Sequence, residues 1–348
     1  MSDPIVVVLG AGASRGASFA KDALCKPPTN RDFFTQLQHI ESRKHQNAIA
    51  RIIQDTTELF GYNFKLTLED FFTQIEYFRK FIKRTGPRRN WSLERLEEIR
   101  ENFLQGLAAT LEESMTQTGS YRTIQCDYHA ALVKQLRRTD TIISFNYDCI
   151  IDDALIGSAD TKWNPRYGYR IPLREGYRLK GLGQRWTTRS SERVGRSQSI
   201  TLLKLHGSLH WDVKEEQKEI IFKERPYTKQ RGSIHFTIIP PEWNKDIIKE
   251  VSLFEALWDE ADTRLRSAKH LIFIGYSLAD TDLHALALFR IAIQEEKLKS
   301  IVIVNPDKLV RFKTRQVLLS GISDKTKVVV FDSLEEFHKA NLRNLLQL

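Results

Sequence analysis

Cysteine is scarce in this chain of 348 residues. The three cysteines, Cys25, Cys126 and Cys149, are far apart, and no two of them form a Cys-x-x-Cys pair. This spacing excludes a zinc module built from four cysteines and gives no framework of disulfides. Such sparse cysteine usage fits a reducing compartment.

Long apolar runs are also lacking. No stretch approaches the ~20 apolar residues that a membrane-spanning helix requires. The first residues, MSDPIVVVLGAGAS, contain neither the basic nor the long apolar region of a signal peptide. We therefore expect a cytoplasmic protein with no membrane partner.

Apolar and aromatic residues are present in ordinary amounts, 41% and 10% of the chain. These fractions are typical of folded globular proteins and not of disordered ones. The net charge of +9 favours anionic partners: nucleotides, nucleic acid or an acidic protein surface. Since the basic residues are spread along the chain, direct binding of nucleic acid is possible but not specifically indicated.

The spacing of apolar residues predicts an α/β fold with a doubly wound, Rossmann-like parallel sheet. The β-branched run IVVVL, residues 5–9, predicts a first strand that ends in a glycine-rich turn. Residues 30–140 then show apolar positions at i, i+3 and i+4, which predict a long helical insertion. From Asp246 onward, helical patterns alternate with strands such as HLIFIGYSL, as in a parallel sheet with helices on both faces.

We expect a single domain, residues 1–348, that contains the helical insertion at 30–140 and a small irregular and β subregion at 156–240. Short antiparallel strands are predicted there, at KEIIFKE and SIHFTIIPP. Residues 163–186 interleave aromatic residues with arginines. This segment could stack nucleotide bases, form a subunit contact or cover a crevice, and the sequence does not distinguish these roles.

Five polar or glycine-rich motifs follow predicted strands. They are GAGAS at 10–14, Asn146 with Asp148, His206-Gly207-Ser208, Gly275-Tyr276-Ser277, and Asn305. Each has a structural alternative, such as a helix cap for Asp148 or a hydrogen-bonded strand end for His206. Because the carboxyl ends of parallel strands meet at one edge of a sheet, a shared ligand site explains the set better.

The glycine-rich turn is the first of these motifs. Gly10 and Gly12 permit a tight turn and a close approach of backbone N–H groups to a phosphate. Arg15 stands where the dinucleotide fingerprint has its third glycine, and no acidic residue ends a short βαβ unit. Nucleotide binding is favoured over a purely structural turn, although the motif alone is weak.

The ordered set of motifs resembles the sirtuin fold, and more closely the sirtuin-like NAD-cleaving effectors of bacterial antiphage defence. The likeness runs from Ile5 to about Asp332 and rests on GAGAS, FNYD at 145–148, KLHGS at 204–208, GYSLADTD at 275–282 and VN at 304–305. It implies a pyrophosphate cradle, a pair that holds the nicotinamide ribose and carboxamide, a catalytic histidine and an adenosine side. The corresponding residues are Gly10, Ala11, Gly12 and Ser14; Asn146 and Asp148; His206; and Gly275, Ser277 and Asn305.

Two departures separate the chain from the sirtuin deacylases. It cannot build the four-cysteine zinc ribbon that helps form their acyl-lysine cleft, and its helical insertion is similar to that of the defence NADases. The resemblance therefore implies hydrolysis of NAD+ to nicotinamide and ADP-ribose, with NAD+ as substrate and no metal. An NAD-dependent protein deacylase and a non-catalytic module that senses NAD+ or ADP-ribose are the alternatives.

Control by assembly or by a partner is also implied by the resemblance. No sensor domain is obvious, so we expect a homo-oligomer and a separate sensor subunit: a HerA-type ATPase, an Argonaute-type protein or a nucleotide-sensing protein. Glu69 and Asp70 resemble an acidic helix position of the defence effectors, although a solvated or dipole-favoured pair is the preferred interpretation. His206 and His210 are four residues apart on a strand and turn, which disfavours one shared zinc ion.

Overall fold

The computed structural model describes residues 3–89, 91–116, 124–224, 236–240 and 251–347. Six parallel strands form its central sheet, and shorter strands form two small sheets. The strands, numbered along the chain, are β1 (Ile5–Leu9), β2 (Thr141–Ser144), β3 (Arg178–Lys180), β4 (Thr201–Lys204), β5 (Gly207–Ser208), β6 (Trp211–Lys214), β7 (Glu219–Phe222), β8 (Thr237–Ile238), β9 (His270–Ile274), β10 (Ser300–Val304) and β11 (Lys327–Phe331).

The central sheet has the order β11-β10-β9-β1-β2-β4, and every neighbouring pair is parallel. The chain runs from β1 outward to β2 and β4 and later returns to β9 on the other side of β1. The topological switch point therefore lies between β1 and β9, where doubly wound folds bind their ligands. All residues of β1, β2, β4, β9 and β10 are buried, as expected for strands covered on both faces. The predicted fold class is confirmed.

Helices cover both faces of this sheet. They are α1 (Ala11–Arg15), α2 (Phe33–Gln38), α3 (Gln46–Phe60), α4 (Leu68–Thr85), α5 (Leu93–Met115), α6 (Asp127–Gln135), α7 (Ile150–Ser158), α8 (Pro165–Gly168), α9 (Arg189–Glu192), α10 (Ser252–Ser267), α11 (Leu283–Ala292), α12 (Lys308–Val317), α13 (Leu334–Phe337) and α14 (Leu342–Leu346). Short 3₁₀ turns occur at Ser18–Ala20, Arg43–His45, Leu173–Glu175, Arg196–Gln198 and Leu319–Gly321. In the described part of the chain, no helix combines the length and the apolar character that crossing a membrane requires.

Between β1 and β2 the described chain is mainly helical, from α2 to α6. A cluster of aromatic rings, with Phe33, Phe71 and Phe103 completely buried, joins α2, α4 and α5. Burial of such large rings stabilises helices that would be marginal alone. The division of the chain into one domain with an insertion remains a prediction.

The region between α7 and α10 contains the two small sheets. Strands β6 and β7 are antiparallel, β3 joins β7 in parallel, and β5 pairs with β8. Trp163, Tyr169 and Trp186 are completely buried here, so these aromatics of the 163–186 segment are core residues and cannot stack on a base. Parts of two sequence predictions, residues 233–235 and 241 of the SIHFTIIPP strand and 246–250 of the following helix, lie outside the described residues.

Candidate functional site

The turn after β1 packs against the turn after β9 with no space for side chains. A Cβ on Gly10 would lie 2.5 Å from Tyr276 Cα, and one on Gly12 would lie 2.7 Å from Gly275 Cα. Gly275 has a φ of +59°, in the left-handed region that glycine adopts without strain. The Gly12 N–H donates to the Gly275 carbonyl over 2.9 Å. Tertiary packing at the switch point thus requires these glycines, and the Gly12 amide bonds to the protein itself.

Substitution of Gly12 by alanine is expected to destabilise the fold by about 1–3 kcal/mol, the usual cost of overpacking. The new methyl would contact the Gly275 backbone, which cannot rotate away as a side chain would. Urea denaturation measures the effect. Gly195→Ala is the matched control, because its Cβ meets nothing within 4 Å and its φ of −76° suits alanine. Equal stability of the two variants would contradict the prediction.

Asn146, Ser14 and Asp148 form one hydrogen-bonded group beneath this turn. Asn146 Nδ2 donates to the Gly10 carbonyl over 2.9 Å and to Ser14 Oγ over 3.0 Å. Ser14 Oγ donates in turn to Asp148 Oδ2 over 2.6 Å. A backbone carbonyl can only accept, so the amide nitrogen of Asn146 must face Gly10. No donor within the described ranges contacts Asn146 Oδ1, which leaves this oxygen available to a ligand.

The second carboxylate oxygen of Asp148 accepts a hydrogen bond from the start of the following helix. Asp148 Oδ1 accepts the Ile150 N–H over 3.0 Å at the start of α7, so the helix-capping interpretation holds alongside the contact with Ser14. An ionised carboxylate accepts up to about four hydrogen bonds. Asp148 therefore keeps acceptor capacity for an amide donor of a ligand.

A fully buried polar network supports the loop that carries Asn146 and Asp148. Lys204, at the end of β4, donates to the Asp148 backbone carbonyl and, over 2.8 Å, to Asp152 Oδ2; both side chains are completely buried. Burial alone would lower the pKa of Lys204, but the charge and hydrogen bond of Asp152, with smaller contributions from Cys149 and Asp148, together outweigh it and the pKa is raised. Sequence reasoning missed this lysine, although a cation within the apolar run TLLKL was a usable signal.

His210 belongs to the same buried network as Lys204 and Asp152. Its contacts differ from those of His206. Its Nδ1 lies 2.7 Å from Ser208 Oγ, and its Nε2 lies 3.1 Å from the Tyr169 hydroxyl. Burial, and then the charge of Lys204, holds the pKa of His210 well below its usual value, so the ring is neutral. Among the described residues, no three His, Cys, Asp or Glu side chains are arranged to hold a metal ion.

His206 lies beside the loop that carries Asn146. Its ring packs at 5.0 Å from the Phe145 ring and 6.4 Å from the Tyr147 ring, the residues on either side of Asn146. Its Nε2 lies 3.4 Å from Asp282 Oδ2. The imidazole is 7% exposed, so it is sheltered but not sealed in the interior.

Asp282 is a residue that sequence reasoning did not single out. It accepts from the Tyr276 hydroxyl over 3.3 Å and caps α11 through the Ala285 N–H over 3.4 Å. Any aspartate that caps a helix has this sequence pattern. The pattern does not show whether the aspartate also contacts a histidine, so the contact of Asp282 with His206 could not be predicted from the local sequence. The GYSLADTD motif therefore contributes a carboxylate to His206.

The helical region places a buried carboxylate, Glu69, whose charge affects Tyr276. Burial raises the pKa of Tyr276 well above 10, and the carboxylates of Asp282 and Glu69 add to the shift. Glu69 is 8% exposed, and Asn30 binds both its carboxylate, over 3.1 Å, and its backbone N–H, over 2.8 Å. Glu69 is therefore not solvated, but it lies in the first turn of α4, so the dipole-favoured form of the preferred interpretation holds for it and the solvated form does not. Asp70 lies in the same turn and forms a capping box with Thr67.

The remaining predicted site residues lie at the same edge of the sheet. Their side chains do not join the polar group formed by Asn146, Asp148 and His206. Ala11 and Ser277 are exposed, and Asn305 Oδ1 accepts the Asp307 N–H over 2.9 Å before α12. Gly275 N–H donates to the Val304 carbonyl, which places the turns after β9 and β10 side by side. In the described residues, none of the three side chains is hydrogen-bonded to Asn146, Asp148 or His206. Their roles toward a nucleotide remain predictions.

The sheet order and the polar group at its switch point are those of a Rossmann-like α/β protein. The sequence model of the SIR2-like domain matches residues 140–323, just over half of the chain, and the chain belongs to the SIR2-like family. The matched range includes Asn146, Asp148 and His206, whereas the turn after β1 lies outside it. SIR2-like domains bind NAD+, so the function of this chain is NAD-related. No curated protein matches the chain.

Proposed function

We propose that the protein is an NAD+ glycohydrolase that cleaves NAD+ to nicotinamide and ADP-ribose. The observation that carries the proposal is the convergence, at the switch point of a SIR2-like fold, of His206 with the loop that holds Asn146 and Asp148. His206 is remote in sequence from Asn146 and Asp148, and all three belong to the motifs that the sirtuin resemblance relates to nicotinamide, ribose and catalysis.

The reaction breaks the bond between ribose C1′ and the nicotinamide nitrogen. Nicotinamide leaves as a neutral molecule with the bonding electron pair, and C1′ acquires oxocarbenium character. The oxygen of water then bonds to C1′, and one proton of that water is released. The carboxylates of Asp148, Asp282 and Glu69 place negative charge around the site, which favours the positive transition state electrostatically.

His206 is proposed to accept the proton from water or from a ribose hydroxyl. An imidazole titrates near neutral pH, and Asp282 at 3.4 Å would orient the ring and stabilise its protonated form. Asn146 Oδ1 would accept a hydrogen bond from the same water or hydroxyl, because its amide nitrogen is already committed to Gly10 and Ser14. Asp148 would accept from the nicotinamide carboxamide and fix the ring.

The alternatives require features for which the described residues give less support. A sirtuin-type deacylase uses a four-cysteine zinc ribbon, whereas the three cysteines here, Cys25, Cys126 and Cys149, are buried, form no disulfide and lie far apart in the sequence. A non-catalytic NAD+ or ADP-ribose sensor would bind without turnover. The polar group around His206 and Asp282 supports hydrolysis over binding alone.

Product analysis tests the proposed reaction. Purified protein, alone and with its co-purified partner, is incubated with NAD+ in the presence and absence of an acetyl-lysine peptide. We expect nicotinamide and ADP-ribose in equal amounts, independent of peptide, since water is the acceptor. Formation of O-acetyl-ADP-ribose only with peptide would establish the deacylase. Saturable binding without any product, even with the partner, would establish the sensing module.

We further propose that this activity depletes NAD+ as an antiphage, abortive-infection effector in the cytoplasm. The proposal rests on the resemblance to the defence NADases, which also implies a homo-oligomer and a separate activator. A HerA-type ATPase, an Argonaute-type protein and a nucleotide-sensing protein are the candidate activators. Cellular NAD+ after phage infection, compared between cells with the natural protein and with a His206→Ala variant, tests this role.

A further inference from the structure

A cavity lies at the opposite edge of the sheet from His206. It has a volume of about 520 Å³, and its lining comes from the end of α6, the segment before β2, the segment after α7 and the start of α14. The lining residues are Lys134, Gln135, Leu136, Arg137, Arg138, Thr161, Lys162, Asn341 and Arg343. Because Arg137 precedes β2 and Asn146 follows it, the length of a four-residue strand, ~13 Å, separates the two sites.

The lining contains five cationic side chains and no carboxylate. Among the described residues, Asp140, paired with Arg137 at 2.8 Å, is the one acidic group in an ion pair with any of them. Lys162 Nζ donates to the carbonyls of Lys134 and Leu136, over 2.7 and 3.0 Å. These neutral acceptors hold the lysine in place without cancelling its charge.

The cations are crowded, and among the described residues Asp140 compensates Arg137 alone. Burial lowers the pKa of Lys162, and the charges of Arg138 and Arg343 lower it further against the opposing effect of Asp140. Lys134 and Arg343 are exposed, and in the described ranges neither makes a side-chain hydrogen bond or ion pair. Two free cations thus face a concave space in which other cations are already held.

We propose that this cavity binds a small anion of nucleotide size that carries two or more phosphate groups. Its volume falls within the ~300–1,000 Å³ of typical small-molecule sites. Guanidinium and ammonium groups are the usual partners of phosphate oxygens, and arginine binds them through paired N–H groups. A concave site whose lining comes from several segments suits a compact ligand better than a nucleic-acid backbone, which follows an extended basic track.

Binding of inorganic tripolyphosphate tests the proposal. The pyrophosphate cradle predicted at the other edge could also accept this anion, so the dependence of binding on Lys134 and Arg343 is what assigns the site. Calorimetric titration of the full-length His206→Ala protein, at constant salt, is expected to give one site per chain. The double variant Lys134→Glu/Arg343→Glu should weaken this binding tenfold or more, because both free cations are reversed. Arg51→Glu/Lys65→Glu, exposed residues of the helical region with the same change in charge, should leave it unaltered.

Three results would overturn the proposal. They are no binding of tripolyphosphate, equal weakening in both double variants, or an oligonucleotide that binds more tightly with the same dependence on Lys134 and Arg343. The second would show a general charge effect, and the third would identify the cavity as part of a nucleic-acid surface. Melting temperatures of both double variants establish that each remains folded.

Discussion

Replacement of His206 by alanine is expected to lower NAD+ turnover by roughly 10²–10⁴-fold, the usual contribution of a general base, and to leave the fold intact. The imidazole is buried at the sheet edge, where its Nε2 lies 3.4 Å from the Asp282 carboxylate, which keeps a bond from Tyr276. Nicotinamide release by the activated protein measures the loss. Circular dichroism and a melting curve establish that the variant is folded.

Two further variants separate chemistry from structure. Asn146→Ala should also abolish turnover, but it removes hydrogen bonds to Gly10 and Ser14, so some loss of stability is expected with it. Asp282→Asn should reduce turnover less, because the amide keeps a polar partner beside the His206 ring and removes only the charge.

His338→Ala, at a distant histidine after α13, is the matched control and should keep full turnover. Full turnover by folded His206→Ala protein would remove the proposed mechanism.

The fold class and most strand positions could be predicted because buried parallel strands consist of continuous β-branched runs. The exact ends of the strands could not be predicted. HLIFIGYSL was predicted as one strand, but β9 ends at Ile274 because Gly275 turns into the left-handed region against Gly12. The same contact gives Gly12 a packing role that a local motif does not reveal, since its partner lies more than two hundred residues away.

The candidate site shows the same limit. Asn146, Asp148 and His206 were identified because each follows a strand, and the geometry of a parallel sheet makes such positions neighbours. Asp282 and Glu69 could not be identified this way, since one lies before a helix and the other in the helical region. Their positions depend on the tertiary packing of α11 and α4, which spacing along the chain does not specify.

Replacement of Lys204 by methionine is expected to lower the free energy of unfolding by about 3–5 kcal/mol. Lys204 and Asp152 are both completely buried and 2.8 Å apart, so loss of the lysine leaves a carboxylate charged or forces its protonation. Methionine has a similar length and an apolar stem, so the effect comes from charge more than from volume. Urea denaturation measures the change.

Lys180→Met is the matched control for that variant. Its ion pair with Glu219 involves a lysine that is 55% exposed, and such pairs contribute about 0–1 kcal/mol. The double variant Lys204→Met/Asp152→Asn should recover part of the lost stability, because the unpaired charge is gone. It should not recover turnover, since the Asp148 carbonyl still lacks its donor and the loop with Asn146 is no longer held. Equal stability of Lys204→Met and Lys180→Met would show that the buried pair does not support the site.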